Sequence, residues 1–225
     1  MADIGIVGGT FDPIHNGHLL LGRQAFQEYH LQQVWFMPSG RPPHKKDHPV
    51  TDARVRGEMV QLALAGEPCF RLSDFETKRP GNTYTAQTLE LLKEQYPHHR
   101  FYFILGADSL YQIESWYQPE KVLTLADILA ADREYPAGRR TIDQQIQYLN
   151  RTYGGRVRKL HCREMDVSSE MLRQMVREGR SIAPYVPPAV ESYIRLHHLY
   201  QEVLYEPTDS RTEESPCEKT QCQPV

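Results

Sequence analysis

Ile4, Gly5, Ile6 and Val7 make a short apolar run that stops at Gly8 and Gly9, and after a polar turn the apolar positions of residues 17–29 recur at helical spacing. That succession predicts a strand, a glycine turn and a helix. Further strand-like runs occupy residues 34–37, 70–72, 101–105 and 126–130, and helical patterns with one apolar face occupy 53–65, 84–95 and 141–153. A last strand is expected near 157–160, Ser168 and Ser169 lead a helix to 178, and Pro187 and Pro188 open a final helix through 197. Strands alternating with helices predict an α/β fold: a Rossmann-like doubly wound parallel sheet with a short helical C-terminal part.

The chain has 225 residues, 40% hydrophobic and 24% charged, which suits one domain over residues 1–201. From residue 206 onward, EPTDSRTEESPCEKTQCQPV has almost nothing to bury, so 206–225 is expected to be a disordered polar tail. The only other long irregular stretch is SGRPPHKKDHP, from Ser39 to Pro49. A net charge of −3 with scattered Lys and Arg argues against a nucleic-acid partner, yet a few cations in one cleft suffice for a small phosphorylated ligand. No run approaches the ~18 apolar residues a membrane helix needs, and the start lacks a signal-peptide layout, so no membrane partner and a cytoplasmic location are expected. The four cysteines form neither a CxxC pair nor a disulfide framework.

The strongest chemistry lies in GGTFDPIHNGH, from Gly8 to His18, between the first strand and the first helix. Glycines allow a phosphate close to the backbone, and a helix starting near Asn16 offers N–H groups and a positive dipole end. His15 and His18, three apart, would share one side of the first helical turn and donate hydrogen bonds to polyphosphate oxygens. Taken singly, His18 would be a core residue and His15 a surface turn residue. A histidine metal pair is disfavoured because no Cys or carboxylate cluster accompanies it, so no metal ligand is assigned. The segment is neither a Walker loop nor a GxGxxG fingerprint.

These residues resemble the H-x-G-H nucleotidyltransferase superfamily, and GGTFDPIHNGHLL is similar to the form in bacterial nicotinate mononucleotide adenylyltransferases. PPHK at Pro42 to Lys45, YTAQTL at Tyr84 to Leu89, GADSL at Gly106 to Leu110, Trp116, and VSSEMLR at Val167 to Arg173 follow in that family's order, as does the closing VPPAVESYIRLHHLY. The similarity covers residues 3 to about 201. Two departures stand out: Glu170 and Leu172 replace the family's threonine and isoleucine, and Arg133 is followed by Glu134, Tyr135 and Pro136 where the family continues Pro-Gly. A glutamate at position 170 suits the helix dipole but repels a nearby polyphosphate.

The resemblance implies transfer of AMP from ATP to nicotinate mononucleotide, with Mg²⁺ carried on the ATP phosphates. His15, His18 and Arg173 are the expected catalytic residues. Gly8, Gly9, Thr10, Phe11, Gly106, Asp108, Ser168 and Ser169 would face ATP, and Lys45, Tyr84, Thr85 and Trp116 the mononucleotide. Arg133 is a further candidate on its partial motif. The plainer alternatives are an N-cap for Ser168 or Ser169, a helix cap for Asp108, packing for Trp116 and a surface ion pair for Arg173. Two rival functions remain open: a nucleotidyltransferase for another phosphorylated acceptor, and a non-catalytic nucleotide sensor. A homo-oligomer is left open.

Overall fold

Ile4, Ile6 and Val7 lie in β1 (Asp3–Gly9), which is buried on both faces because helices cover each side of the sheet. The computed structural model describes residues 1–41, 50–132, 140–163 and 165–201. The other strands are β2 (Gln33–Pro38), β3 (Phe70–Leu72), β4 (Arg100–Leu105), β5 (Asp127–Asp132) and β6 (Arg156–Arg163). They form one six-stranded sheet in the order β3-β2-β1-β4-β5-β6, with every pairing parallel. The order in which successive strands are added therefore reverses between β1 and β4, the switch point outside which open α/β sheets bind ligands.

Strand residues alternate between two cores, as a period of two requires. Val7, Phe36, Tyr102 and Ile104 face one side, where they meet α1 (Asn16–Glu28), α2 (Ala53–Ala63), α7 (Ser169–Arg177) and α8 (Pro188–Leu196). Ile6, Met37, Phe101, Phe103 and Leu105 face the other, against α3 (Thr85–Gln95), α4 (Ala107–Gln112), α5 (Pro119–Leu125) and α6 (Ile142–Tyr153). The expected fold class is thus observed, and most expected elements lie within a few residues of their predicted limits.

The pattern of residues did not predict α4, α5 or the 3-10 turn Ile113–Ser115 between them. Each is under two turns long, too short for a helical period to declare itself. Gln201 ends the described C-terminal part, and the polar segment 206–225 lies outside the described residues.

Candidate active site

The parallel sheet brings the ends of β1, β2 and β4 to one edge, and Gly8 and Gly9 lie at the centre of it. Side chains press on both glycines. A Cβ at Gly8 would sit 3.0 Å from Phe103 Cζ, and one at Gly9 would sit 3.0 Å from the Phe11 ring. Packing therefore gives these glycines a reason beyond access for a phosphate. Phe11 itself adopts a left-handed φ of 51°, and its ring is core, packed edge-on to His18 at 5.0 Å and tilted against Phe36. With its ring in the core, what Phe11 can offer a ligand on this side is main chain, and Thr10 beside it is half-buried.

His15 is the extended N-cap of α1 and His18 stands three residues on, so the helix start stacks their rings at 3.7 Å with 28° between planes. The surface position expected of His15 singly is not observed, since it is only 6% exposed, while His18 is half-buried. The His15 N–H donates to His18 Nδ1 at 3.2 Å. A neutral His18 ring therefore carries its proton on Nε2, the nitrogen left to donate to a ligand. Burial lowers the His15 pKa to about 4. Burial, and then the charge of His15, pushes His18 well below its ordinary value. Among the described residues, His15 Nδ1 is buried with no hydrogen-bond partner.

The start of α7 closes one wall. Ser168 is the N-cap, its Oγ accepting from the Met171 N–H at 3.1 Å, as the plain local expectation had it. Ser169 Oγ donates to the Pro13 carbonyl at 2.9 Å, and Arg173 Nη1 donates to the Asp12 carbonyl at 2.7 Å. Both therefore brace the segment leading into His15, and the remaining Arg173 donors stay on the guanidinium fork. A Cβ at Gly17 would lie 3.1 Å from Val167 Cγ1, so the approaches to α7 and α1 are in contact. One expectation is corrected at the α1 start: the Asn16 N–H is not open to an anion, because it donates to the Tyr185 carbonyl at 2.8 Å. Glu170 is exposed in the first turn of α7, while Leu172 is fully buried.

On the β4 side, Gly106 caps α4 and Asp108 is exposed in its first turn. Trp116 is half-buried and lies edge-on to Phe103 at 6.3 Å. Phe103 in turn touches Gly8, so one ring joins the glycine turn to Trp116. Tyr84 is the N-cap of α3, Thr85 its first residue, and the Tyr84 ring packs on Tyr117 at 4.6 Å. Lys45 and Arg133 lie outside the described residues.

A cytidylyltransferase-like family model matches residues 6–175. A Lachnoclostridium phytofermentans protein named "Probable nicotinate-nucleotide adenylyltransferase" is 44% identical over 200 residues, covering 89% of this chain and 100% of the relative. A Carboxydothermus hydrogenoformans protein with the same name is 39% identical, covering 89% of this chain and 98% of the relative. This chain belongs to the nicotinate-nucleotide adenylyltransferase family. A solved nicotinic acid mononucleotide adenylyltransferase of Plasmodium falciparum, complexed with NaAD, superposes with a TM-score of 0.75 at 21% identity. It covers 89% of this chain and 98% of that one, a likeness of fold.

Sequence reasoning missed three residues that shape this adenylyltransferase site. The Asp12 carboxylate accepts from the Tyr200 hydroxyl at 2.7 Å and from the Thr51 N–H at 3.2 Å, tying the glycine turn to the segment after α8. Burial, then the Asp12 charge, raises the Tyr200 phenol far above its usual range, so it stays a donor. Arg56 is buried to 1% exposure within α2. Its signal was present: Arg56 shares a helical stripe with Met59, Val60 and Ala63, where an arginine is out of place.

Proposed function

We propose that this chain joins ATP to nicotinate mononucleotide, forming nicotinate adenine dinucleotide and releasing pyrophosphate. The observation that carries this function is the stacked His15 and His18 pair at the sheet's switch point, in a chain whose full-length relatives bear that activity as their name. An oxygen of the mononucleotide phosphate forms a bond to the α-phosphorus of ATP as the bond to the pyrophosphate oxygen breaks. The attacking oxygen is already an anion, so the reaction needs orientation and neutralisation of charge, not a protein nucleophile.

His18 donates from Nε2 to the phosphates, supported by the tautomer its Nδ1 contact selects. Arg173 adds a fixed positive charge beside the glycine turn. Mg²⁺ enters as part of the MgATP substrate, since a hard cation prefers phosphate oxygens and water. Trp116 and the start of α3 at Tyr84 and Thr85 form the side toward the pyridine ring and its carboxylate, and Lys45 is assigned to the mononucleotide phosphate on its motif. Residues 1–201 act as one catalytic unit in this scheme. Among the described residues, no helix is long and apolar enough to cross a membrane.

Pyrophosphate release from MgATP with nicotinate mononucleotide, nicotinamide mononucleotide or phosphopantetheine tests the substrate directly. Turnover is expected with the pyridine mononucleotides, fastest with the acid. Replacing His18 by Ala should lower kcat by about 10²–10³, the effect of losing one donor to developing charge. Release with phosphopantetheine alone would move the chain to another acceptor class. ATP binding without turnover on any acceptor would make it a sensor.

A further inference from the structure

Arg56 is among the largest fully buried side chains in the molecule, and it meets main-chain carbonyls in place of a carboxylate. Nε donates to the Thr51 carbonyl at 2.8 Å, Nη1 to Thr10 at 2.6 Å, and Nη2 to Ser39 at 2.7 Å and Gly40 at 3.2 Å. No ion pair to a described carboxylate accompanies them; burial lowers the Arg56 pKa from its usual value, and the charges of Asp12 and Asp52 offset this only in part. Filling a helix stripe beside Met59 and Val60 requires only an apolar residue; a buried charge is costly and calls for a specific use. The four carbonyls belong to three separate segments: the glycine turn after β1, the exit from β2, and the approach to α2.

A trans peptide points its N–H opposite its C=O. Fixing the Thr10, Ser39 and Gly40 carbonyls on one guanidinium therefore turns the N–H groups of Phe11, Gly40 and Arg41 away from it. The same Thr51 whose carbonyl meets Arg56 gives its N–H to Asp12, so the two peptides flanking Thr51 link the guanidinium to the turn that leads into His15. We infer that Arg56 is a positioning residue that sets the backbone of the glycine turn and of the β2 exit together, and so couples the ATP side of the site to the start of α3 assigned above to the mononucleotide, since the Arg41 carbonyl at the β2 exit accepts from the Thr83 N–H at 3.2 Å, one residue before Tyr84. This assignment rests on the adenylyl-transfer function proposed above. Lysine cannot replace it, because one ammonium lacks the planar fork that reaches three segments at once.

The test compares wild type, Arg56→Lys and Arg56→Ala, with each protein's thermal transition recorded so that rates are scaled to folded protein. Arg56→Lys should raise KM for both ATP and nicotinate mononucleotide by about tenfold and lower kcat as well, since both loops lose their common anchor. Guanidine at low millimolar concentration should restore part of the Arg56→Ala activity, and methylamine at equal ionic strength should not. Amide hydrogen exchange supplies a readout that needs no turnover: in Arg56→Lys, residues 9–12 and 39–41 should exchange faster together while α6 is unchanged. Loss of activity only in proportion to unfolded protein, with both KM values and both loop exchange rates as in wild type, would overturn the assignment. A wild-type protein inactive on every pyridine mononucleotide would instead sink the substrate assignment, leaving the exchange experiment to decide on Arg56.

Discussion

His15 and His18 start from the neutral state, and this shapes their response to pH. His15 has a pKa lowered by burial to about 4, below the ordinary histidine value of 6.5 that it takes in the unfolded chain. As pH falls below 6.5 the unfolded chain takes up the proton first, so the stability this residue contributes is intact above 6.5 and is lost between 6.5 and about 4. A polyphosphate beside the ring favours the charged form and raises the pKa. Nuclear magnetic resonance of the ligand-free protein should therefore show no His15 titration from about pH 8 to about pH 5, and an upward shift once a non-hydrolysable ATP analogue is added. A midpoint near the ordinary 6.5 in the ligand-free protein would contradict the burial described for this ring. The three-residue spacing of the pair was legible in the sequence, whereas the burial of His15 was not: the Val167 and Tyr185 segments that close over the α1 start come from far along the chain.

At the scale of elements, two glycines that look alike in sequence should respond to alanine with opposite signs. Gly57 lies inside α2, and a Cβ there meets nothing within 4 Å. Gly57→Ala should stabilise by about 0.5–1 kcal/mol, the helix-propensity gain alone. At Gly40 a Cβ would fall 2.6 Å from the Glu76 carbonyl, which is backbone and cannot swing aside. Gly40→Ala should cost about 1–3 kcal/mol and loosen the exit from β2. Denaturant midpoints with unchanged slopes check both; a neutral Gly40→Ala would mean that this approach of loop to loop is not a constraint. Long amphipathic helices and apolar strands could be predicted because their periods extend over several turns or pleats. Segment 107–125 could not, since α4 and α5 are short and Gln118 between them takes a left-handed φ of 50°. Arg56 shows the same limit from another side, because a helical stripe reveals that an arginine faces inward but not which carbonyls await it.

On the scale of the whole molecule, the strand order explains why residues distant in sequence share one edge. The reversal between β1 and β4 opens a crevice there; the glycine turn and the start of α7 lie on the face of α1, and α4, Trp116 and the start of α3 lie on the opposite face. Two phosphorylated molecules meeting over that edge can react directly, which is why no nucleophilic side chain is needed. The stereochemical course at the α-phosphorus tests this most directly. With nicotinate mononucleotide and one diastereomer of ATP bearing sulfur on the α-phosphorus, a single in-line displacement yields the dinucleotide with inverted configuration, readable by phosphorus resonance. Retention would require a covalent adenylyl-protein intermediate and would contradict the account, as would the absence of any dinucleotide product.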